Sequence, residues 1–258
     1  VILEENAQAR MLICDQAMDK VNFLATQVVE IFAGAHSMLD LYEIEETSEQ
    51  TTRVSNMFVR QEAGSNVLLN NMTLYNGRTR NTTVVTLEGE GAETNRCGMA
   101  RADKEQHVDN CTKIDHVAPR CNSNELYKYV LDDHAVGAFY GLVLVRPGAQ
   151  KTNSLETNRN LCATKDARMY TQPQLEIYAD DVKCSHGSTV GQLDEQALFY
   201  MRSRGISEQE ARMLLMFAFV NEVIDTIRLD ALKDRLHLLV EKRFRGELNR
   251  CGSCHKCK

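Results

Sequence analysis

The chain has 258 residues, 43% of them hydrophobic and 26% charged, the make-up of a globular protein long enough to bury a sizeable core. Its formal net charge of −6, with no Lys/Arg run ahead of the last predicted helix, excludes a nucleic-acid partner, because phosphate recognition needs a basic face. The longest apolar run, Met213 to Val220, has eight residues, far short of a membrane span.

Between Ala9 and Phe32, runs such as MLIC and VNFLATQVVEIF mix β-branched and polar residues and predict strands. A Gly followed by a small residue then recurs before strand-like text at Gly34-Ala35, Gly64-Ser65, Gly91-Ala92 and Gly148-Ala149, with Asp166-Ala167 as a degenerate copy. The first two intervals are 30 and 27 residues, and the third, 57, is close to two such units. Recurrence at that length suggests a solenoid in which each coil buries its inward face on the next. Short strands at this spacing suit a β-sandwich equally well. The hexapeptide repeat of left-handed acyltransferase helices is absent. Alternation over Ser37 to Glu45 fits a strand with one covered face. Asn76-Gly77 supplies a turn, with Arg78 and Arg80 on a solvated rim.

Between Gln106 and His134 stand His107, Cys111, His116, Cys121 and His134, ligand types whose spacings match no compact zinc module. Strand parity lets His107 and Cys111 share a face and turns His116 the other way, so buried thiols and hydrogen-bonded imidazoles are the simpler reading. Further on, a strand containing Leu175, Ile177, Tyr178 and Val182 runs into Cys184-Ser185-His186-Gly187. Residues two apart on an extended chain point the same way. The thiol of Cys184 and the imidazole of His186 therefore reach one ion or one partner surface. Asp180-Asp181 reads as a solvated turn.

From Leu193 the pattern turns helical. Asp194 is placed to cap a first helix, with Leu193 and Leu198 as a hydrophobic staple and Gly205 ending it. Ser207 and Glu210 form a capping box for a second helix, whose body Met213 to Val220 is apolar all round and calls for cover on every side. A third helix, Asp230 to Phe244, carries an apolar stripe at Leu232, Leu236, Leu239, Val240 and Phe244, with Lys233, Arg235, Lys242 and Arg243 outside. The tail places Cys251, Cys254 and Cys257 around His255, a donor set suited to zinc or to iron and sulfide, although no second CxxC lies nearby and a mobile C-terminal tail is the simpler reading. Nine cysteines, an odd number with no secretion signal, are expected as reduced thiols of a cytoplasmic protein. No Gly-rich phosphate loop and no G-x-S-x-G elbow occur.

The stretch PQLEIYADDVKCSHGSTVGQLDEQALFYMRSRGIS, with AQKTNSLETNRNLC and HVDNCTKIDHVAPRCNSNELYKYVLDD upstream, resembles the SufB/SufD family of iron-sulfur cluster assembly subunits, its SufD branch in wording, closely from Gln106 to Ile227. The resemblance implies a mainly β fold: a right-handed parallel β-helix core over 1–191, a helical region over 192–248 that docks the ATPase SufC, and a Cys-rich tail over 249–258. The chain begins at Val1 without a leader and is read as a fragment lacking the family's N-terminal helical region. The family further implies a non-catalytic scaffold that pairs with SufB, or with itself as a homodimer. Cys184 and His186 would lie near the SufB–SufD interface and offer ligands to a transient iron-sulfur cluster shared with SufB, because two donors cannot satisfy a cluster that normally takes four. The alternatives are a SufB-type subunit and a carbohydrate-active β-helix enzyme, the latter poorly served by an aromatic content of 6%.

Overall fold

The computed structural model describes residues 1–17 and 21–246. Its strands alternate between two parallel sheets. One sheet holds β1 (Ile2–Leu3), β3 (Phe23–Ala33), β5 (Thr51–Gln61), β7 (Arg78–Leu87), β9 (His107–His116), β11 (Val136–Val145) and β13 (Arg168–Ile177), in that order. The other holds β2 (Gln8–Gln16), β4 (Met38–Glu46), β6 (Asn66–Tyr75), β8 (Glu93–Ala102), β10 (Asn122–Leu131), β12 (Asn153–Cys162) and β14 (Lys183–Gly191). Each strand pairs with the strand two places on. The chain therefore climbs as a parallel β-helix of about six turns, and three helices follow: α1 (Glu195–Ser203), α2 (Glu208–Ile224) and α3 (Asp230–Phe244).

The Gly-plus-small repeat marks the corner leading from the odd-numbered sheet to the even-numbered one. Gly64, Gly91 and Gly148 have φ of +63°, +71° and +89°, a left-handed conformation that a Cβ resists. Between Gly91 and Gly148 the same corner is turned by Arg120 at φ +59°, which is why that interval spans two coils. Asp166-Ala167 is not a further copy, since it sits on the opposite corner, between β12 and β13.

The two sheets bury their outer faces differently. Strands β7 and β11 alternate between buried and half-exposed positions, as a sheet with one wet face does. Strands β4, β6 and β10 are buried on both faces, which corrects the single covered face expected for Ser37 to Glu45. The cause is the helical region: Leu68, Met72, Met99, Leu126 and Val130 point outward into Met216, Val220, Val223, Leu236 and Val240.

Helix α3 is fixed by a residue the pattern put outside. Arg243 is buried, donating to the Leu74 carbonyl, to Asp103 Oδ2 at 2.8 Å and to Gln106 Oε1 at 3.2 Å. Helix α2 is not covered on every side, because Leu214 remains 38% exposed. The caps are as expected for α1, where Asp194 accepts from the amides of Gln196 and Ala197 and both Leu193 and Leu198 are buried. At α2 half of the capping box forms: Ser207 accepts from the Glu210 amide at 3.2 Å, while the Glu210 carboxylate pairs with Arg245. No helix among the described residues is long and apolar enough to cross a membrane.

Candidate functional site at the last coil

On every inner coil the inward-facing side chains are sealed by the next rung. At the last coil, β13 and β14 each have a sheet neighbour on one side only among the described residues. Tyr170, Ile177, Tyr178 and Val190 are exposed there. An unpaired strand edge rimmed by apolar side chains is a surface suited to pairing with another chain.

Cys184, His186 and Ser188 take successive inward positions on β14, in register with Ser154, Glu156 and Asn158 of β12. Ser188 Oγ lies 2.8 Å from Thr171 Oγ1 and 3.2 Å from Asn158 Oδ1, which ties β14 to β13 across the end of the solenoid. Cys184 is half-buried and, like Leu175 and Val182, packs against the cluster of Val143, Val145, Ala149 and Ala179. Burial pushes its thiol up, and the Ser154 backbone holds part of that rise back. His186 is exposed. The thiol and the imidazole thus share one face of one strand, at the open mouth of the solenoid.

Behind His186 stand two groups that the sequence reading missed. Glu156, in register with His186, and Glu125 of β10, in register with Glu156, are 0% and 1% exposed, and neither carboxylate oxygen of Glu156 has a hydrogen-bond partner among the described residues. Glu156 occupies the space left by Gly141 of β11, where a Cβ would stand 2.1 Å from Oε1. Burial pushes Glu125 up to about 7, against a hydrogen bond from Thr112 and the pull of Arg96. Burial and the charge of Glu125 push Glu156 up to about 8. The pair therefore retains protons near neutral pH. Parity held the signal: Ser154, Glu156, Asn158 and Asn160 alternate along β12 on the face that a β-helix buries.

A second polar chain reaches the site from the interior. His116 Nε2 lies 2.9 Å from Ser123 Oγ, which lies 2.7 Å from Ser154 Oγ, and all three residues are buried. Burial lowers the His116 pKa to about 4, so the imidazole is neutral at physiological pH. His107 and Cys111 are on the outer face of the odd-numbered sheet, as parity required. His107 shares a shallow cavity of about 370 Å³ with Arg78, Glu105, His134 and Val136. Asp181 sits in the loop before β14 and pairs with Lys151. Among the described residues no three His, Cys, Asp or Glu side chains converge closely enough to hold a metal ion. Cys251, Cys254 and Cys257 lie outside the described residues.

Residues 1–219 match the family model described as SUF system FeS cluster assembly, SufBD core domain. The chain is 40% identical over 167 residues to the iron-sulfur cluster assembly protein SufD of Escherichia coli, covering 65% of this chain and 40% of that protein. It is 32% identical over 251 residues to an iron-sulfur cluster assembly SufBD family protein of Synechocystis, covering 94% and 55%. Another SufBD family protein, from Mycobacterium leprae, is 38% identical over 165 residues, covering 61% and 42%. The chain spans about half the length of these relatives. With the family model matching across both sheets and into α2, this chain belongs to the SufB/SufD core family of the SUF iron-sulfur cluster assembly system.

Proposed function

We propose that the chain is a non-catalytic scaffold subunit of cluster assembly, pairing through β13 and β14 with a SufB-type sister and engaging the ATPase SufC through its helical region. The observation that carries this reading is the placement of Cys184 and His186 on the inward face of an edge strand whose outer edge no strand among the described residues pairs. Thiolate is the usual cluster ligand and neutral imidazole suits iron. Two donors leave an iron-sulfur cargo half-ligated, so the remainder must come across the pairing edge. The exposed Phe199 and Tyr200 on α1 and Leu214 on α2 support a second docking surface on the helical side. The tail thiols of Cys251, Cys254 and Cys257 are a subsidiary donor set, tested by replacing all three with Ser.

The decisive experiment reconstitutes the complex with His186→Ala and follows cluster absorbance. Loss of cluster with subunit pairing intact is expected. Wild-type yield would remove His186 from the site.

A further inference from the structure

We propose that Asn158 is a positioning residue of the pairing edge, its carboxamide clamping β13 to β14 across the last coil so that a sister chain meets a preformed strand. The inference deepens, and rests on, the reading of β13 and β14 as the edge to which that chain adds. The clamp itself consists of contacts within this chain.

Asn158 of β12 lies one rung below Ser188 of β14 and one rung above Tyr127 of β10, in register with both. It is buried, at 0% exposure. Three donors converge on its Oδ1: Thr171 Oγ1 of β13 at 2.8 Å, Ser188 Oγ at 3.2 Å and Asn160 Nδ2 at 2.6 Å. The two hydroxyl oxygens stand 2.8 Å apart. A hydroxyl has one proton and a carboxamide oxygen two lone pairs. Asn160 therefore fills one lone pair, one hydroxyl fills the other, and the second hydroxyl donates to the first. The other proton of Asn160 Nδ2 goes to the Thr189 carbonyl at 2.9 Å. On the opposite side, Asn158 Nδ2 donates to Asn160 Oδ1 at 3.2 Å and to the Tyr127 carbonyl at 3.5 Å, which fixes the direction of the carboxamide. One side chain on an inner strand thus holds β13 through Thr171 and β14 through Ser188 and, by way of Asn160, through the Thr189 backbone.

The place of this network gives it a use. A strand of an inner coil is held by ladder bonds from both neighbours, whereas among the described residues β14 has them from β12 only. A strand bonded along one edge opens more readily, and association that must first order its strand loses affinity to the ordering. A clamp between the sheets removes that loss and leaves the free edge unoccupied. Ser188 is the next inward residue after His186, so the clamp also steadies the strand that carries the proposed donors.

The test begins with the full chain alone. Amide hydrogen exchange is followed by mass spectrometry over 187–191, with β6 as internal reference. Asn158→Leu and Thr171→Val keep the volume and remove the polar atoms. Both are expected to speed exchange over 187–191 about tenfold, the loss of one or two hydrogen bonds, and to leave β6 unchanged. Thr171→Ser keeps the hydroxyl and is expected to stay within about twofold of wild type. A role in packing alone predicts the reverse order, because Val is the closer match in shape. The Thr171 pair carries the test if thermal melting shows Asn158→Leu unfolded. A second arm titrates each chain with a purified SufB-type chain: Thr171→Val is expected to weaken pairing about fivefold and Thr171→Ser to leave it within about twofold. Wild-type exchange in a folded Asn158→Leu or in Thr171→Val, a Ser variant as fast as the Val variant, or pairing unchanged by Thr171→Val overturns the proposal. Failure of the pairing-edge reading is seen separately, in wild type, where the SufB-type chain would then leave β13 and β14 unprotected from exchange.

Discussion

Replacing Glu156 by Gln keeps the shape that fills the gap at Gly141 and removes the ionisable group. The sign of the effect follows from the raised pKa. Below about 4.5 the carboxyl is protonated in both the folded and the unfolded chain, and the folded state bears no burial penalty. As pH rises further the unfolded chain ionises, while the folded carboxyl holds its proton until about 8. Stability conferred by the protonated form is therefore lost across that window, at about 1.4 kcal/mol per pH unit. Between roughly pH 5 and 8 the loss is on the order of 4 kcal/mol, a large share of what holds an ordinary domain together. His116 contributes an opposite trend, its burial favouring the neutral ring, so its share of stability is lost as pH falls from about 6.5 toward 4. That term is common to wild type and variant. The assay is guanidinium unfolding of both at four pH values, read as the difference in midpoint converted to free energy. Glu156→Gln should gain on wild type steadily from pH 5 to 8. A difference that stays constant across the window would refute the placement of an unpaired carboxyl in the interior. Because Glu125 feels the charge of Glu156, adding Glu125→Gln should yield less than the sum of the two single gains.

Three further outcomes follow from named contacts. Gly141→Ala should cost about 1–3 kcal/mol, because its Cβ would stand 2.1 Å from Glu156 Oε1, and the cost should largely vanish in a Gly141→Ala/Glu156→Ala double variant measured by the same unfolding assay. Arg243→Met should destabilise the docking of α3 by about 3–5 kcal/mol, seen as early protease cleavage ahead of α3, since it strands Asp103 and the Leu74 carbonyl together. Burial raises Asp103, but Arg243 overrides it and holds that carboxyl below the usual range. The docking it supplies is thus present above about pH 4 and should be lost as the medium is acidified further, with Arg243→Met flattening that acid limb.

The coil architecture was legible because its signals are local. A left-handed corner favours Gly, as at Gly64, Gly91 and Gly148, and a strand of the odd-numbered sheet alternates because one face is wet. The helix starts were legible for the same reason: Asp194 and Ser207 answer to orphan amides within three residues. What failed was what depends on partners distant in sequence. Arg243 looks like a solvent-facing cation on a helical wheel, and only the arrival of Asp103 and the Leu74 carbonyl from other coils makes burial favourable. Glu210 gave up half of its capping box to Arg245 for a similar reason. At the site, parity along β14 correctly put Cys184 and His186 on one face. Glu125 and Glu156 went unread because an isolated Glu in a strand reads as a solvent-facing residue, and its inward direction becomes plain only once the register of β10, β12 and β14 is known.

A solenoid constrains where cargo chemistry can sit. Along the inner coils each inward side chain faces its equivalents about 4.8 Å above and below, so a donor there is sealed away from anything arriving from solution. At the last rung the same inward direction meets open space. Donors placed there are held by the rigidity of the stack and remain reachable, and the strand that bears them keeps a free edge to which another chain can add. Cys184 and His186 occupy that rung, with the polar ladders of His116–Ser123–Ser154 and Glu125–Glu156 ending directly beneath them. Moving the same two residues one coil inward, to the positions of Ser154 and Glu156, would keep their spacing and their common face yet bury them. On this argument such a transplant should fail to support cluster formation even in a complex that still pairs.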